Sequence, residues 1–232
     1  MSLPSEPRLS ASRLNDFLGC PHQAALWLAG VKAEEAADPT VELVRAKGFE
    51  HEAKVLADLK ALYGSVVEIP ATIPYPERER RTKEAIAAKA PLIAQATLLL
   101  KDWQGFPDFL VLKEEDGDFR FEPEDAKLSR KAKGEHVLQL GIYADLLEKL
   151  YRIPVRGGTI HVAQGPPVSF DLRRTRYILD RLIKGFESFV DLPERKTVPI
   201  PCAECKNCDY KLRCDAEWRA ADSLYFVAGV TG

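Results

Sequence analysis

Between two stretches of helical spacing lies LIAQATLLLKDWQGFPDFLVLKEEDGDFRFEPEDAKL, residues 92 to 128, where the pattern changes. Apolar residues come in short blocks and in alternation, broken by Gly105 and by Asp116-Gly117. A two-residue period suits a half-buried strand, and an Asp-Gly pair between two such runs marks a hairpin. Strands are therefore predicted near Phe106 to Lys113 and near Asp118 to Leu128. Helical spacing returns in VLQLGIYADLLEKLY, with Val137, Leu140, Tyr143, Leu147 and Leu150 along one face. Strands around GGTIHVAQ and PVSFDL precede a further helix from Arg173 to Val190. A chain that passes from helices into a β-meander and then alternates helix and strand belongs to the α/β class.

Upstream, Ser10 or Ser12 can cap a short helix carrying Leu14, Phe17 and Leu18, which ends at Cys20-Pro21, and a second short helix runs to Gly30. A polar linker, VKAEEAADP, follows. Thr40 then reads as the cap of a long helix ending at Tyr63 before Gly64, with Val41, Val44, Gly48, His51, Val55 and Leu62 as its inward stripe. PERERRTKEAIAAKA reads as an exposed helix. These signals divide the 232 residues into N-terminal helices (1–39), a core (40–195) and a C-terminal module (196–232).

No apolar run is long and uncharged enough to cross a bilayer, and the N-terminus lacks the pattern of a secretory leader. A cytoplasmic protein is expected. With a formal net charge of −2, bulk charge does not suit coating of nucleic acid, so an anionic partner must be met by a local basic surface.

Of the five cysteines, Cys202, Cys205, Cys208 and Cys214 fall within CAECKNCDYKLRC, while Cys20 stands alone in LGCPHQ. An odd number in a cytosolic chain points to metal ligation or isolated thiols rather than disulfides. Clustered cysteines at this spacing serve zinc as readily as iron and sulfur.

The hairpin raises a sharper question. Asp125 and Lys127 project from one face of a strand, a pattern that alone describes a solvated ion pair worth about 0.5 kcal/mol. Asp108, in GFPDFL, falls nearly opposite Asp125 if the hairpin turns at Gly117. Two neighbouring carboxylates destabilise a sheet unless a cation neutralises them, as a divalent ion with oxygen ligands does.

In order along the chain stand KGFEHE with His51, GFPDFL with Asp108, EDAKLS with Asp125 and Lys127, and Gln139 and Tyr143 as Q-x-x-x-Y. This set resembles the RecB-type nucleases of the PD-(D/E)XK superfamily, in particular the branch with an iron-sulfur cluster that includes AddB-type subunits and the CRISPR adaptation nucleases. The likeness covers almost the whole chain. It departs from many relatives in having Asp125 where they have glutamate, and Pro107 before Asp108.

The resemblance implies a restriction-endonuclease-like core, a mixed sheet flanked by helices, that hydrolyses DNA phosphodiesters. Asp108, Asp125 and His51 would hold Mg2+ or Mn2+, and Lys127 would serve the attacking water. Gln139 and Tyr143 are implied to contact substrate, although Tyr143 equally suits helix packing and His51 alone would read as a core histidine bonded to a carbonyl. Arg130, Lys131 and Lys133 follow the D-x-K strand and would meet the DNA backbone. The family form of the 4Fe-4S ligands is one remote cysteine followed by C-x2-C-x5-C. Cys20, Cys205, Cys208 and Cys214 fit it and leave Cys202 spare. A set with Cys202 in place of Cys214 stays open. Such a cluster would tie the chain ends together as a staple on the core. The resemblance further implies the N-terminal module of a longer RecB-like protein that works with a helicase or further nuclease domain in repair, recombination or defence. Two other classes remain: a non-enzymatic nucleic-acid-binding module with a zinc site, and an electron carrier.

Overall fold

The computed structural model describes residues 8–33, 39–115 and 117–226, without the side chains of residues 39–41. In chain order the elements are α1 (Ala11–Gly19), α2 (Pro21–Leu28), α3 (Pro39–Tyr63), β1 (Val67–Glu68), α4 (Tyr75–Ala87), β2 (Leu92–Ala94), β3 (Leu98–Leu100), β4 (Trp103–Gly105), β5 (Phe109–Glu115) and β6 (Asp118–Lys127). After these come α5 (Gly134–Tyr151), β7 (Gly157–Val162), β8 (Val168–Asp171), α6 (Arg176–Val190) and α7 (Lys211–Ala220). The chain divides into two compact units, Met1–Ala11 with Pro39–Asp180 and Ser12–Asp38 with Arg181–Gly232. Among the described residues no helix is long and apolar enough to cross a membrane.

The first unit is a mixed α/β structure around a six-stranded sheet of order β1-β2-β5-β6-β7-β8. Pairings β2·β5, β5·β6 and β7·β8 are antiparallel, whereas β1·β2 and β6·β7 are parallel. A parallel pair cannot be closed by a tight turn, and α5 supplies the crossover between β6 and β7. Pro123 lies mid-strand in β6, one residue before the pairing with β7 begins at Glu124. That position tolerates a missing N–H on the β7 side. Pro107 similarly delays β5, which starts at Phe109 rather than near Phe106. Gly117 has φ 85°, as the expected turn requires, while Asp116 lies outside the described residues.

Helix α3 packs Val55 and Leu59 against Leu92, Ala94, Phe109 and Val111 of the sheet. Its inward stripe starts later than its apolar spacing implies. Val44 and Leu62 are 54% and 71% exposed, and Thr40 and Val41 have side chains outside the described set. Apolar periodicity marks a face without saying which turns have a neighbour. The charged helix α4 is corrected in the other direction. It buries Thr82, Ala85, Ile86 and also Arg78, whose guanidinium lies over the rings of Tyr75 and Phe106 at 5.5 and 5.3 Å. Helix α5 follows its sequence pattern, with Leu140, Tyr143 and Leu147 buried. A 3-10 turn over Leu172–Thr175 precedes α6.

The second unit contains most of α1, α2, the end of α6, a 3-10 turn at Ala203–Asn207 and α7. Phe17 stacks between Phe186 and Phe189, with ring centroids 5.2 and 4.9 Å away. Trp218 Nε1 donates to the Pro199 carbonyl at 2.8 Å, and the Tyr210 hydroxyl to that of Val31 at 3.3 Å.

Candidate active site

Phe109 faces Glu124 in the β5·β6 ladder, so Asp108, one residue outward, comes beside Asp125. Asp108 Oδ2 accepts the Ala126 N–H at 2.9 Å, which fixes its carboxylate across the strand pair. Asp125 is 1% exposed, and its Oδ1 has no hydrogen-bond partner among the described residues. The Lys127 ammonium is ion-paired with Asp125 Oδ2. Burial pushes the Asp108 carboxyl well above the ordinary range, and the charge of Asp125 pushes it the same way. Burial raises Asp125 too, against the pull of Lys127.

A third carboxylate belongs to this group. Glu52 on α3 lies close enough to feel the charges of Asp125 and Lys127, and burial raises its carboxyl. The Gln95 side-chain amide bonds to it, while the Gln95 backbone N–H donates to the Asp108 carbonyl at 2.8 Å. Gln95 makes both contacts from a left-handed conformation, φ 58°, which a non-glycine residue adopts only when its surroundings impose it. Neither residue stands out in the sequence; the one signal is a glutamine inside the apolar run IAQATLL.

His51 shares a ring-to-carbonyl bond with β7: its Nε2 donates to the His161 carbonyl at 2.9 Å. That is the bond of a core histidine, and it also leaves Nδ1 as the free lone pair, the arrangement of a ligand oriented from behind. Tyr143 is 5% exposed, with its hydroxyl donated to the Phe106 carbonyl at 3.1 Å and receiving the Gln139 amide at 2.6 Å. It supports the residues leading into Asp108, while half-buried Gln139 retains some exposure. His136, unmarked by the sequence reading, accepts the Lys133 N–H at 3.2 Å, and burial lowers its pKa with Lys127 adding to the effect. Arg130, Lys131 and Lys133 are exposed; Lys133 pairs with Glu135 at 3.2 Å, and the other two have no ion-pair partner among the described residues.

Among the described residues, no three His, Cys, Asp or Glu side chains converge as a ready-made metal cage. Asp108 and Asp125 still suit a hard divalent cation. They offer oxygen donors, repel one another, and include a buried Asp125 Oδ1 without a hydrogen-bond partner among the described residues.

In the second unit all five cysteines line one pocket, and none forms a disulfide. Cys202 Sγ is 3.8 Å from Cys205 Sγ, so Cys202 is no outlier. Cys20 forms the N-terminal boundary of α2, where the amides of His22 and Gln23 favour its thiolate against the upward push of burial. Burial raises Cys205 and Cys208 as well, and pushes Cys214 up to about 11. A set of soft sulfur donors at an apolar wall fits a thiolate-bound metal group.

No protein-family model matches the chain, and no curated protein does. Among solved structures, one described as "Crystal structure of SSO0001" is similar over 93% of this chain and 89% of its own, at 15% identity and a TM-score of 0.46. Similarity at that level identifies neither a family nor an activity for this chain.

Proposed function

We propose that the chain is a divalent-cation-dependent deoxyribonuclease of the RecB-type PD-(D/E)XK class, with a restriction-endonuclease-like core, and that its second unit carries a 4Fe-4S cluster. The observation that carries the nuclease reading is Asp125: a buried carboxylate whose Oδ1 has no hydrogen-bond partner among the described residues and whose Oδ2 is ion-paired with Lys127, beside a second aspartate. As a purely structural feature this arrangement is costly, whereas a cation makes it favourable.

Asp108 and Asp125 would hold Mg2+ or Mn2+, with His51 Nδ1 as a further ligand. The chemistry such an ion supplies is Lewis acidity, which makes water nucleophilic near neutral pH and offsets charge on the phosphate. The Lys127 ammonium, beside Asp125, would serve the attacking water and the developing negative charge. Tyr143 keeps the Phe106 carbonyl, and with it the start of β5, in place. Gln139, Arg130, Lys131 and Lys133 would position the DNA backbone. Action on ends or single strands of DNA, alongside a helicase or further nuclease domain, follows from the family likeness.

Calorimetric titration of Mn2+ into metal-free protein tests the site. Binding is expected in the wild type and at least ten-fold weaker in Asp125→Ala. Wild-type protein that takes up no Mn2+ would contradict the reading.

For the cluster, Cys20, Cys205, Cys208 and Cys214 are the proposed ligands. One observation favours a second reading, a structural zinc in a non-enzymatic nucleic-acid-binding module. Zn–S bonds of about 2.3 Å in a tetrahedron place sulfurs about 3.8 Å apart, which is the Cys202–Cys205 separation of 3.8 Å. Iron, sulfide and zinc analysis of anaerobically purified protein separates the two.

A further inference from the structure

His22, two residues after Cys20 in the sequence, is 8% exposed and lines the cysteine pocket. Its Nδ1 shares a hydrogen bond of 2.9 Å with Thr197 Oγ1. Its Nε2 is buried with no partner among the described residues. A buried ring nitrogen without a partner is rare enough in folded proteins to need an explanation. Nearby charges do not provide one, because Arg213 and Glu217 of α7 bond to each other at 3.1 Å.

We propose that His22 donates its Nε2–H to a sulfur of the group bound in this pocket, with Thr197 fixing the tautomer by donating its hydroxyl to Nδ1. This rests on the cluster reading above. The ring is neutral in this arrangement, and a neutral imidazole whose Nδ1 is an acceptor carries its proton on Nε2. With five cysteines in the same pocket, thiolates already suffice for four iron ligands, so the imidazole is not needed as a second kind of donor. What a sulfur-rich, electron-dense group lacks is hydrogen-bond donors, and donors to sulfur stabilise the reduced, more negative form of a cluster. His22 is therefore a residue that tunes the cluster, neither a ligand nor a catalytic group.

Redox titration of full-length, anaerobically purified protein tests this, with His22→Phe and Thr197→Val as variants. Both are expected to keep wild-type iron and sulfide content. The midpoint potential should move to a more negative value in His22→Phe and by a smaller amount, in the same direction, in Thr197→Val. In the dithionite-reduced wild type, proton ENDOR should detect an exchangeable proton coupled to the cluster and belonging to His22, assigned by labelling histidine with 15N. That measurement needs no variant to fold. Loss of iron in folded His22→Phe would make the histidine a ligand and overturn the proposal. So would an unchanged potential at full iron content, or the absence of histidine coupling in the labelled wild type. Wild-type protein without iron and sulfide would remove the cluster reading itself, and this inference with it, whereas the other outcomes leave the cluster in place.

Discussion

Asp108, proposed to hold the divalent ion, carries a cost in stability. Its carboxyl is raised by burial first and by Asp125 second. A group whose folded pKa lies above its unfolded value contributes stability at low pH, and that contribution is lost as pH rises through the folded value. In metal-free protein, Asp108→Asn removes this loss while keeping an oxygen that can accept from Ala126. The variant should match the wild type only at or below the ordinary aspartate value of 3.8, and melt increasingly above it as pH rises to 7 to 8, by a few degrees, since a chain of this size gains about 2–4 °C per kcal/mol. Thermal unfolding in chelator across that range is the check, and equal midpoints at pH 8 would mean that the charge is tolerated. Glu52 makes a related case. If Gln95 holds it in reach of the cation's surroundings, Glu52→Gln should weaken Mn2+ affinity by about 10-fold or more while leaving metal-free stability the same or higher. Unchanged affinity on calorimetry would reduce Glu52 to a surface acid of α3.

Among the elements, the β5·β6 hairpin was the most legible in the sequence, because alternation and a glycine turn fix the register that sets Asp108 beside Asp125. Helix α3 was half legible. Its second half buries Val55 and Leu59, but Leu43, Val44 and Phe49 are 56%, 54% and 64% exposed, and no spacing rule distinguishes apolar residues that face a partner from those that face solvent. Glu52 and Gln95 were illegible because they meet only through the pairing of β2 with β5 and the packing of α3 on the sheet. Arg78 illustrates the opposite failure, a charge run whose first arginine is buried against two aromatic rings. Packing between α5 and the small β3·β4 hairpin has its own test. A Cβ at Gly105 would come within 2.9 Å of both Tyr143 and Leu146 side chains, three residues before Asp108. Gly105→Ala should cost about 1–3 kcal/mol in chemical denaturation; an unchanged midpoint would show that Tyr143 has room to move.

At the scale of the whole molecule, the second unit draws its cysteines from both ends of the chain, Cys20 from the first helices and the other four from residues 202–214. The family spacing leaves Cys202 spare but keeps a set with Cys202 in place of Cys214 open, and the folded chain sets Cys202 Sγ 3.8 Å from Cys205 Sγ. If Cys20, Cys205, Cys208 and Cys214 hold the cluster, Cys214→Ala should be colourless, iron-poor and unstable, whereas Cys202→Ala stays brown and folded. Iron and sulfide assays on the two variants decide between the sets, and the reverse pattern would move the fourth ligand from Cys214 to Cys202.

The larger proposal concerns the first unit: a buried aspartate pair, with one Asp125 oxygen lacking a hydrogen-bond partner among the described residues and a lysine beside it, would cleave DNA with a divalent ion. Anaerobically purified protein incubated with end-labelled single- and double-stranded DNA, with and without Mn2+, measures this directly, with Lys127→Ala alongside. The expected result is cleavage by the wild type only when Mn2+ is present, and loss of at least about 100-fold in Lys127→Ala at undiminished Mn2+ binding. Full cleavage by Lys127→Ala, or cleavage by the wild type in chelator, would contradict it.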